Sequence, residues 1–464
     1  MFDYNTYLSP FTWRYASQEM RQIWSEKHKR LLWRKIWLEL ARAQAEFGLV
    51  SADQLADIED HVQQVDIERS LQIEAEIHHD LMAELKAFAE QCPVGGGVLH
   101  TGATSMDIED NADVLRVRQS LAIIYKNCLS LLSLFEEKIQ AWASVPVLGF
   151  THLQPAEPTT LGYRLAFYAQ DLLQETANLK REMTLLKGKG FKGAVGTAAS
   201  YGELIGVNNL ASFEKQLNEL LGLEFFTVTN QTYPRKQDYD VICRLSGIGL
   251  ILNKFAFDLR VLQSPLAGEM AEPFGKSQVG SSAMPFKRNP IQSEKINSLA
   301  RSLAQMPVIA WQNAAQNLLE RTLDDNASRR TLLPEAFLTC DELLLTSLKL
   351  VKGLQVNFTA VEKNLATYAP FAGSERLLMA LAKAGADRQE MHHVLRSISM
   401  TAWDAIQQGQ PNPLIDLACS NTAIGAFLPS DQVRALFIIN SYLGDAPQRA
   451  CQVAEQIHQF IFTS

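Results

Sequence analysis

The sequence predicts an all-α protein whose long helices are largely buried. Long stretches without proline cover residues 108–144, 160–232 and 236–263, so no proline interrupts helical hydrogen bonding there. Within these stretches, the segments that are apolar around most of a helical circumference are 113–139, 161–186 and 239–262. A helix with one solvated face needs only an apolar stripe, so these three segments belong inside a bundle. The only strand-like run is the short EFFTVT at residues 224–229.

Periodicity, glycine and proline define the remaining elements. Apolar residues recur at helical spacing from Ser17 to about Phe47, which predicts a helical amino-terminal region. Pro307 predicts a kink or a break in a later helix. Polar connectors rich in Gly and Pro separate the helices at 91–105, 149–160, 187–197 and 270–290. Connectors of this kind usually carry the chemistry of a helical scaffold, so we expect the functional residues there.

Length and composition limit the possible functions. The chain has 464 residues, 47% of them hydrophobic, which is enough for two or three domains. Its 43 Lys and Arg against 51 Asp and Glu give a net charge of -8, which argues against nonspecific binding to nucleic acid or anionic membranes. The sequence contains no basic-then-apolar leader, no apolar run near the ~20 residues that span a bilayer, and no Cys-x-x-Cys pair among its six cysteines. These features predict a cytoplasmic protein with reduced thiols.

The most informative connector is GSSAMPFKRNP, residues 280–290. Its small residues let backbone amides approach an anion, while Lys287 adds positive charge and Asn289 adds directed donors. A hydroxyl beside such groups, here Ser281 or its neighbour Ser282, can be stabilised as an alkoxide and remove a carbon-bound proton. From these residues alone, a solvated turn is the commoner explanation.

Histidines occur in two further segments. His152 lies in GFTHLQPAEPTT, and imidazole is the natural proton donor near neutral pH. His78 and His79 precede Asp80, whose carboxylate can fix a histidine tautomer. A metal pair is the rival interpretation, but adjacent histidines on a helix diverge by about 100°, which disfavours a shared ion. The pair at 392–393 lies in an amphipathic helix and is interpreted as structural.

Hydroxyl and guanidinium groups complete the candidates. Thr104 and Ser105 precede acidic residues that favour a helix start, so they could bind a carboxylate, although N-capping explains them equally well. ERTLDDNASRR, residues 320–330, gathers arginines, and Arg14 stands beside Tyr15; surface salt bridges are the alternative for all of them. No phosphate-binding Gly-rich loop, nucleophile elbow or zinc-protease motif is present, so those chemistries lose support.

Together these segments resemble a known family. GSSAMPFKRNP is similar to the signature of the aspartase/fumarase superfamily, and its SAMPFKRNP form most resembles the adenylosuccinate lyase family. The other segments that resemble this family, in its order, are TWRYASQEM, HHDLMAEL, HTGATS, GFTHLQPAEPTT, KGAVGT, NQTYPRKQD and ERTLDD. The resemblance extends from about Arg14 to about Arg396 and thins beyond that point.

The resemblance implies a fold and an assembly. Three all-helical domains are expected, at 1–105, 106–356 and 357–464. The middle domain, with a signature loop at 276–290, would supply long helices to a homotetrameric core, and each active site would combine residues of three subunits. The resemblance implies a small nucleotide substrate, with no metal or organic cofactor, no nucleic acid and no membrane.

It also implies a reaction. The family's β-elimination releases fumarate from adenylosuccinate, giving AMP, and from the succinyl-aminoimidazole-carboxamide ribotide of purine synthesis. By resemblance, Ser281 is the base that removes the succinyl Cβ proton and His152 is the acid that protonates the departing nitrogen. Lys287 would hold the developing dianion, His79 would support the substrate or His152, and Glu294 would fix histidine polarity. The residues expected to bind substrate are Arg14, Tyr15, His78, Asp80, Thr104, Ser105, Thr151, Gln231, Ser282, Met284, Asn289, Arg321, Asn326 and Arg330.

Two departures from the family pattern bear on the phosphate end of the substrate. Asn326 stands where related sequences commonly have Ser, and Lys295 where some have Arg. The alternatives are another lyase of the superfamily, acting on argininosuccinate, malate or a carboxymuconate, and a catalytically silent helical scaffold derived from it. Arginines that bind a nucleotide phosphate would distinguish cleavage of adenylosuccinate from the reactions of the other lyases. Retention of the serine loop together with His152 argues against the silent scaffold. Nucleic-acid binding is weaker still, because no basic stripe with interleaved aromatics is present.

Overall fold

Long helices dominate the computed structural model, which describes residues 5–463. The helices of the first half of the chain are α1 (Gln18–Ile23), α2 (Glu26–Ala45), α3 (Ala52–His61), α4 (Ile67–Ile77), α5 (Asp80–Gln91), α6 (Ser105–Trp142), α7 (Leu161–Leu185), α8 (Ala199–Ile205) and α9 (Leu210–Leu221). Those of the second half are α10 (Lys236–Gln263), α11 (Ile291–Leu303), α12 (Met306–Ala315), α13 (Asn326–Lys352), α14 (Phe358–Lys383), α15 (Arg388–Gln407), α16 (Leu414–Ser420), α17 (Thr422–Gly425), α18 (Ser430–Ala435) and α19 (Ala446–Phe462). The predicted all-α class is confirmed.

The three proline-free segments form the long helices α6, α7 and α10, as predicted. The amino-terminal helical region is confirmed but divided, because Ser25 caps a new helix: its Oγ accepts the His28 N–H at 3.2 Å. The break predicted at Pro307 occurs between α11 and α12. Pro307 lies in the first turn of α12, where the N–H that proline lacks would have no helical partner.

The described residues form four short strands in two antiparallel pairs. One pair joins β1 (Pro146–Thr151) to β2 (Gln154–Thr160), and the other joins β3 (Met270–Ala271) to β4 (Gln355–Val356). The strand predicted at 224–229 is wrong. That segment makes only one isolated bridge in the described chain, between Phe225 and Gly188.

The hairpin of β1 and β2 lies in a segment predicted to be a connector. Its prolines at 155 and 158 stand opposite Phe150 and Leu148. A two-stranded sheet tolerates them because each of its strands has a free edge that needs no ladder hydrogen bond.

The residues group into two compact units, each with its own buried side chains. Unit 1 comprises Met1–Cys128, Glu175–Leu250 and Leu299–Leu345, and unit 2 comprises Leu129–Gln174, Ile251–Ser298 and Thr346–Ser464. Trp37 and Tyr201 are buried in unit 1, while α14 to α18 form one hydrophobic cluster in unit 2. The three-domain division stays a prediction. Within residues 5–463, none of the helices combines the length and the apolar character that crossing a membrane requires.

Candidate active site

The signature loop, residues 276–290, connects β3 to α11 in unit 2 and is largely exposed. The Ser281 Oγ accepts the backbone N–H of Ala283 at 3.3 Å and that of Met284 at 3.1 Å. Two amide dipoles directed at one oxygen favour negative charge on it. The loop therefore has the local geometry that a serine alkoxide needs.

The base of the loop is closed by close contacts to two backbone carbonyl groups. The Asn289 side-chain amide donates to the Gly280 carbonyl at 2.9 Å, so this part of Asn289 is structural. A Cβ atom at Gly280 would collide with the Lys287 carbonyl oxygen. Only glycine permits this close approach, which explains the residue that precedes the two serines.

The other predicted residues of this region face solvent. Ser282, Met284 and Lys287 are exposed, and so is Glu294 in the first turn of α11. In the described part of the chain, Lys287 forms no ion pair. Its charge is therefore available to an anion.

His152 occupies the tip of the β1–β2 hairpin in unit 2. Thr151 pairs with Gln154, which leaves His152 and Leu153 as a two-residue turn, and their φ angles are 54° and 58°. A turn with positive φ at both positions normally takes Asn-Gly. Strained backbone of this kind clusters at functional sites. The His152 ring is exposed and makes no hydrogen bond to residues 5–463, so it is free to meet a ligand.

The histidine pair of unit 1 does not share a helix, so that premise of the sequence argument is wrong. His78 ends α4 in a left-handed conformation, with φ 55°, and His79 is the N-cap of α5. The His79 Nδ1 accepts the Met82 N–H at 3.5 Å, which leaves Nε2 to carry the proton. Nε2 lies 3.4 Å from the Ser105 Oγ, so two of the predicted residues meet here.

Ser105 and Thr104 are held by a residue that the sequence argument did not single out. Asp107, fully buried, forms an ion pair with the buried Lys189. It also accepts the Tyr201 hydroxyl at 3.2 Å and the Thr104 N–H at 3.0 Å. The Lys192 and Gly193 amides donate to it as well. Asp107 thus ties the Thr104–Ser105 turn to the predicted connector at 187–197.

Three further predicted residues of unit 1 line one cavity of about 120 Å³: Asp80, Asn326 and Arg330. Arg330 donates to the Asp80 carboxylate at 2.6 Å, and its side chain is 51% exposed. A half-exposed guanidinium can exchange a surface partner for a ligand at small cost. This group is the best-formed anion site among the predicted residues.

The remaining predicted residues of unit 1 are less clearly arranged for binding. Arg321 donates to Asp325 at 2.7 Å, although its buried Nε has no partner within the described residues. Arg14 is exposed and lies against the Trp13 ring, while the Tyr15 ring contacts Phe11. Gln231 donates its backbone N–H to Glu320 at 3.1 Å. Within residues 5–463, no hydrogen bond, ion pair or ring contact joins any of these four to Arg330.

The candidates therefore fall into two groups. Unit 1 contains the candidate residues of the amino-terminal segment, of the 78–80 and 104–105 turns and of the 321–330 segment, together with Gln231. Unit 2 contains the candidate residues of the hairpin tip and of the signature loop. Within unit 2, no hydrogen bond or ion pair of the described chain joins the His152 turn to the signature loop.

Comparison with known proteins identifies the family. The family model described as lyase matches residues 11–304, and the model described as adenylosuccinate lyase C-terminus matches residues 370–453. The adenylosuccinate lyase of Saccharomyces cerevisiae is 38% identical over 97% of this chain and 94% of its own. That of Pyrococcus abyssi is 35% identical over 97% of both chains. The chain belongs to the adenylosuccinate lyase family. The predicted resemblance is thereby confirmed, and the carboxy-terminal match extends it past residue 396.

Solved structures of other proteins share the fold of this chain. The crystal structure of a 3-carboxy-cis,cis-muconate lactonizing enzyme from Pseudomonas putida superposes with a TM-score of 0.86 at 24% identity, covering 97% of this chain and 99% of its own. A fumarate lyase from Mesorhizobium sp. BNC1 gives a TM-score of 0.84 at 24% identity, with the same coverages. These neighbours support the helical architecture, whereas the substrate class follows from the family.

Proposed function

We propose that this chain catalyses the C–N bond cleavage of its family, releasing fumarate from adenylosuccinate and from the succinyl-aminoimidazole-carboxamide ribotide. The observation that carries the proposal is Ser281, whose Oγ receives two backbone amides in a loop that also holds Lys287. A reaction that removes a carbon-bound proton next to a carboxylate needs such a base and such a cation.

Ser281 begins the elimination by taking the proton from the succinyl Cβ. The electron pair left on carbon spreads into the neighbouring carboxylate, and Lys287 with the loop amides stabilises the resulting dianion. One such donor is typically worth ~3 kcal/mol in the transition state. The C–N bond then breaks as the double bond of fumarate forms, and His152 protonates the departing nitrogen. Glu294 is assigned to fix the histidine polarity.

Unit 1 supplies binding groups. His79, with its proton on Nε2, donates toward Ser105, and Thr104 and Ser105 at the start of α6 suit a succinyl carboxylate, as helix amino termini do. Gln231 of unit 1 and Thr151 of unit 2 are assigned to the same orientation. At the other end of the substrate, Arg330 and Asn326 would bind the phosphate, and Asp80 the ribose hydroxyls. Arg14, Tyr15 and Arg321 are assigned to the same end, with Arg321 shared between Asp325 and the ligand.

We assign the active unit to a homotetramer in the cytoplasm, with the domains at 1–105, 106–356 and 357–464 and with three subunits contributing to each site. Exposed apolar side chains on α10 and on the shorter α12 support the assembly. Leu250 and Phe257 of α10 and Trp311 of α12 are each more than half exposed. Apolar surface of this kind marks an interface.

The test is fumarate release by purified protein, followed by absorbance with adenylosuccinate and the ribotide in turn. Turnover of both without added metal is expected. Ser281→Ala should lower kcat by at least about 1,000-fold, since it removes the base, and should leave substrate binding intact. Ser277→Ala, in the same loop, is the matched control and should behave as wild type. Full activity in Ser281→Ala would exclude this base, and cleavage of argininosuccinate alone would exclude the substrate.

A further inference from the structure

The cavity beside Arg330 contains a carboxyl group to which the family's reaction gives no role. Four acidic side chains line this cavity: Glu26, Asp80, Glu109 and Asp113. Four basic side chains line it too: Lys29, Arg116, Arg329 and Arg330. With every group ionised the lining is neutral. One proton on a carboxylate gives it a net charge of +1.

Glu109 is the carboxyl group suited to carry that proton. It is partly exposed and forms no hydrogen bond or ion pair with residues 5–463. The charged groups that face it are Asp80 from α5, Asp110 and Asp113 from its own helix α6, and Arg330 from α13. Burial and then the three carboxylates raise its pKa to about 8, against the lowering effect of Arg330. By contrast, Lys29 and Arg30 hold the pKa of Glu26, which lines the same cavity and is 60% exposed, down to about 2 against the opposing effect of desolvation.

A second observation points to an acceptor-rich ligand. Three donors on residues of this cavity have no hydrogen-bond partner in the described chain: the indole N–H groups of Trp24 and Trp33 and the Nε of Arg116. Trp33 is only 2% exposed. Buried donors are normally satisfied, so the lining is short of acceptors. A phosphate group is rich in acceptor oxygens, and the volume of about 120 Å³ accommodates one.

We propose that Glu109 binds the substrate's phosphate group in its protonated form, so that nucleotide binding takes up one proton at mildly alkaline pH. The protonated carboxyl donates to a phosphate oxygen beside Arg330, while the ionised carboxylate repels the dianion. This inference rests on the proposed function, because it assigns the nucleotide phosphate to Arg330. It adds a binding residue that sets the pH range in which the enzyme holds nucleotide.

The experiment is calorimetric titration of the intact oligomer with AMP between pH 7.5 and 9.5, in two buffers of different ionisation enthalpy. The phosphate itself stays dianionic in this range, since its second pKa is ~6. Wild type should take up close to one proton per site at about pH 9, and its affinity should weaken about 25-fold across the range, as linkage to one proton requires. KM should rise in parallel while kcat stays level.

Glu109→Gln imitates the protonated carboxyl, so proton uptake and the pH dependence of affinity should both disappear. Glu26→Gln is the matched control. It removes a charge from the same cavity, but the resulting change in affinity should be the same at every pH in this range. Proton uptake that is absent from wild type, or unchanged in Glu109→Gln, would overturn the inference. If instead wild type neither binds AMP nor cleaves adenylosuccinate at any pH, the proposed function itself fails.

Discussion

The turn that carries Ser105 and the loop that carries Ser281 each present a serine hydroxyl, but different forces hold them. The Ser105 turn is tied to Asp107, a fully buried carboxylate paired with the buried Lys189. The Ser281 loop is held by hydrogen bonds between its polar side chains and its own backbone, and most of its side chains are exposed, including Phe286 at 82%. A mutation that disturbs the Ser105 turn should therefore lower the stability of the fold. A mutation that disturbs the Ser281 loop should change the position of the serine and lower the rate without lowering stability.

The largest effect should come from Asp107→Asn, which leaves the Lys189 ammonium buried without a counter-charge. Breaking one partner of a buried pair costs about 3–5 kcal/mol, so the free energy of unfolding should fall by that amount in chemical denaturation at fixed protein concentration. Asp240→Asn, which removes a surface pair with Lys236 at 2.7 Å, is the control and should cost at most about 1 kcal/mol. Equal losses in both variants would contradict the comparison.

Gly280→Ala should show the opposite behaviour. The added methyl group meets the Lys287 carbonyl, so the loop must open and Ser281 must move. A displacement of about 1 Å can cost about 100-fold in rate, and kcat should fall by roughly that factor with no change in the melting temperature. At Gly275, immediately before the loop, a Cβ atom would come no closer than 3.6 Å to a neighbour, so Gly275→Ala should keep its activity. A melting temperature lowered in Gly280→Ala would argue that the loop supports the fold.

The smallest effect concerns stability and pH at the Arg330 cavity. The fold raises the pKa of Glu109 from 4.5 to about 8, so its contribution to stability is fully present below pH 4.5 and is lost as pH rises through 8. Glu109→Gln should therefore raise the melting temperature relative to wild type at pH 9 and change it little at pH 4.5.

Glu26→Gln should act with the opposite sign. The fold lowers the pKa of Glu26 from 4.5 to about 2, so its contribution is present above pH 4.5 and is lost as pH falls through 2. This variant should lower the melting temperature at neutral pH. Scanning calorimetry of both variants across pH checks the two signs, and a shift in the same direction for both would contradict the charge assignment.

The helices were predictable because proline absence and apolar content are local properties of the chain. The strands were not. EFFTVT has the composition of a strand but finds only the bridge to Gly188, while the proline-containing residues 154–160 pair with 146–151. Strand formation depends more on pairing with a second segment than on composition. A single sequence does not show which segments pair.

The same limit applies to the site. Ser281 and His152 stand out in the sequence because their residue types match a chemistry, and the family resemblance gave them roles. The contacts of Asp107 did not stand out, because Lys189 lies 82 positions along the chain. Its only local signal was an acidic residue in the first turn of a helix, which capping already explained. Arg321 shows the reverse case: the arginine-rich segment was visible, but not that Asp325 already engages this guanidinium.

The hairpin tip places a limit on engineering. His152 and Leu153 both adopt the left-handed conformation, which costs residues with a Cβ atom about 1–2 kcal/mol each, whereas Asn-Gly adopts it readily. Replacing the pair by Asn-Gly is thus an obvious thermostabilising design, and it would delete the imidazole on which turnover is proposed to depend. Sequence optimisation guided by folding energy alone would therefore remove the proposed acid.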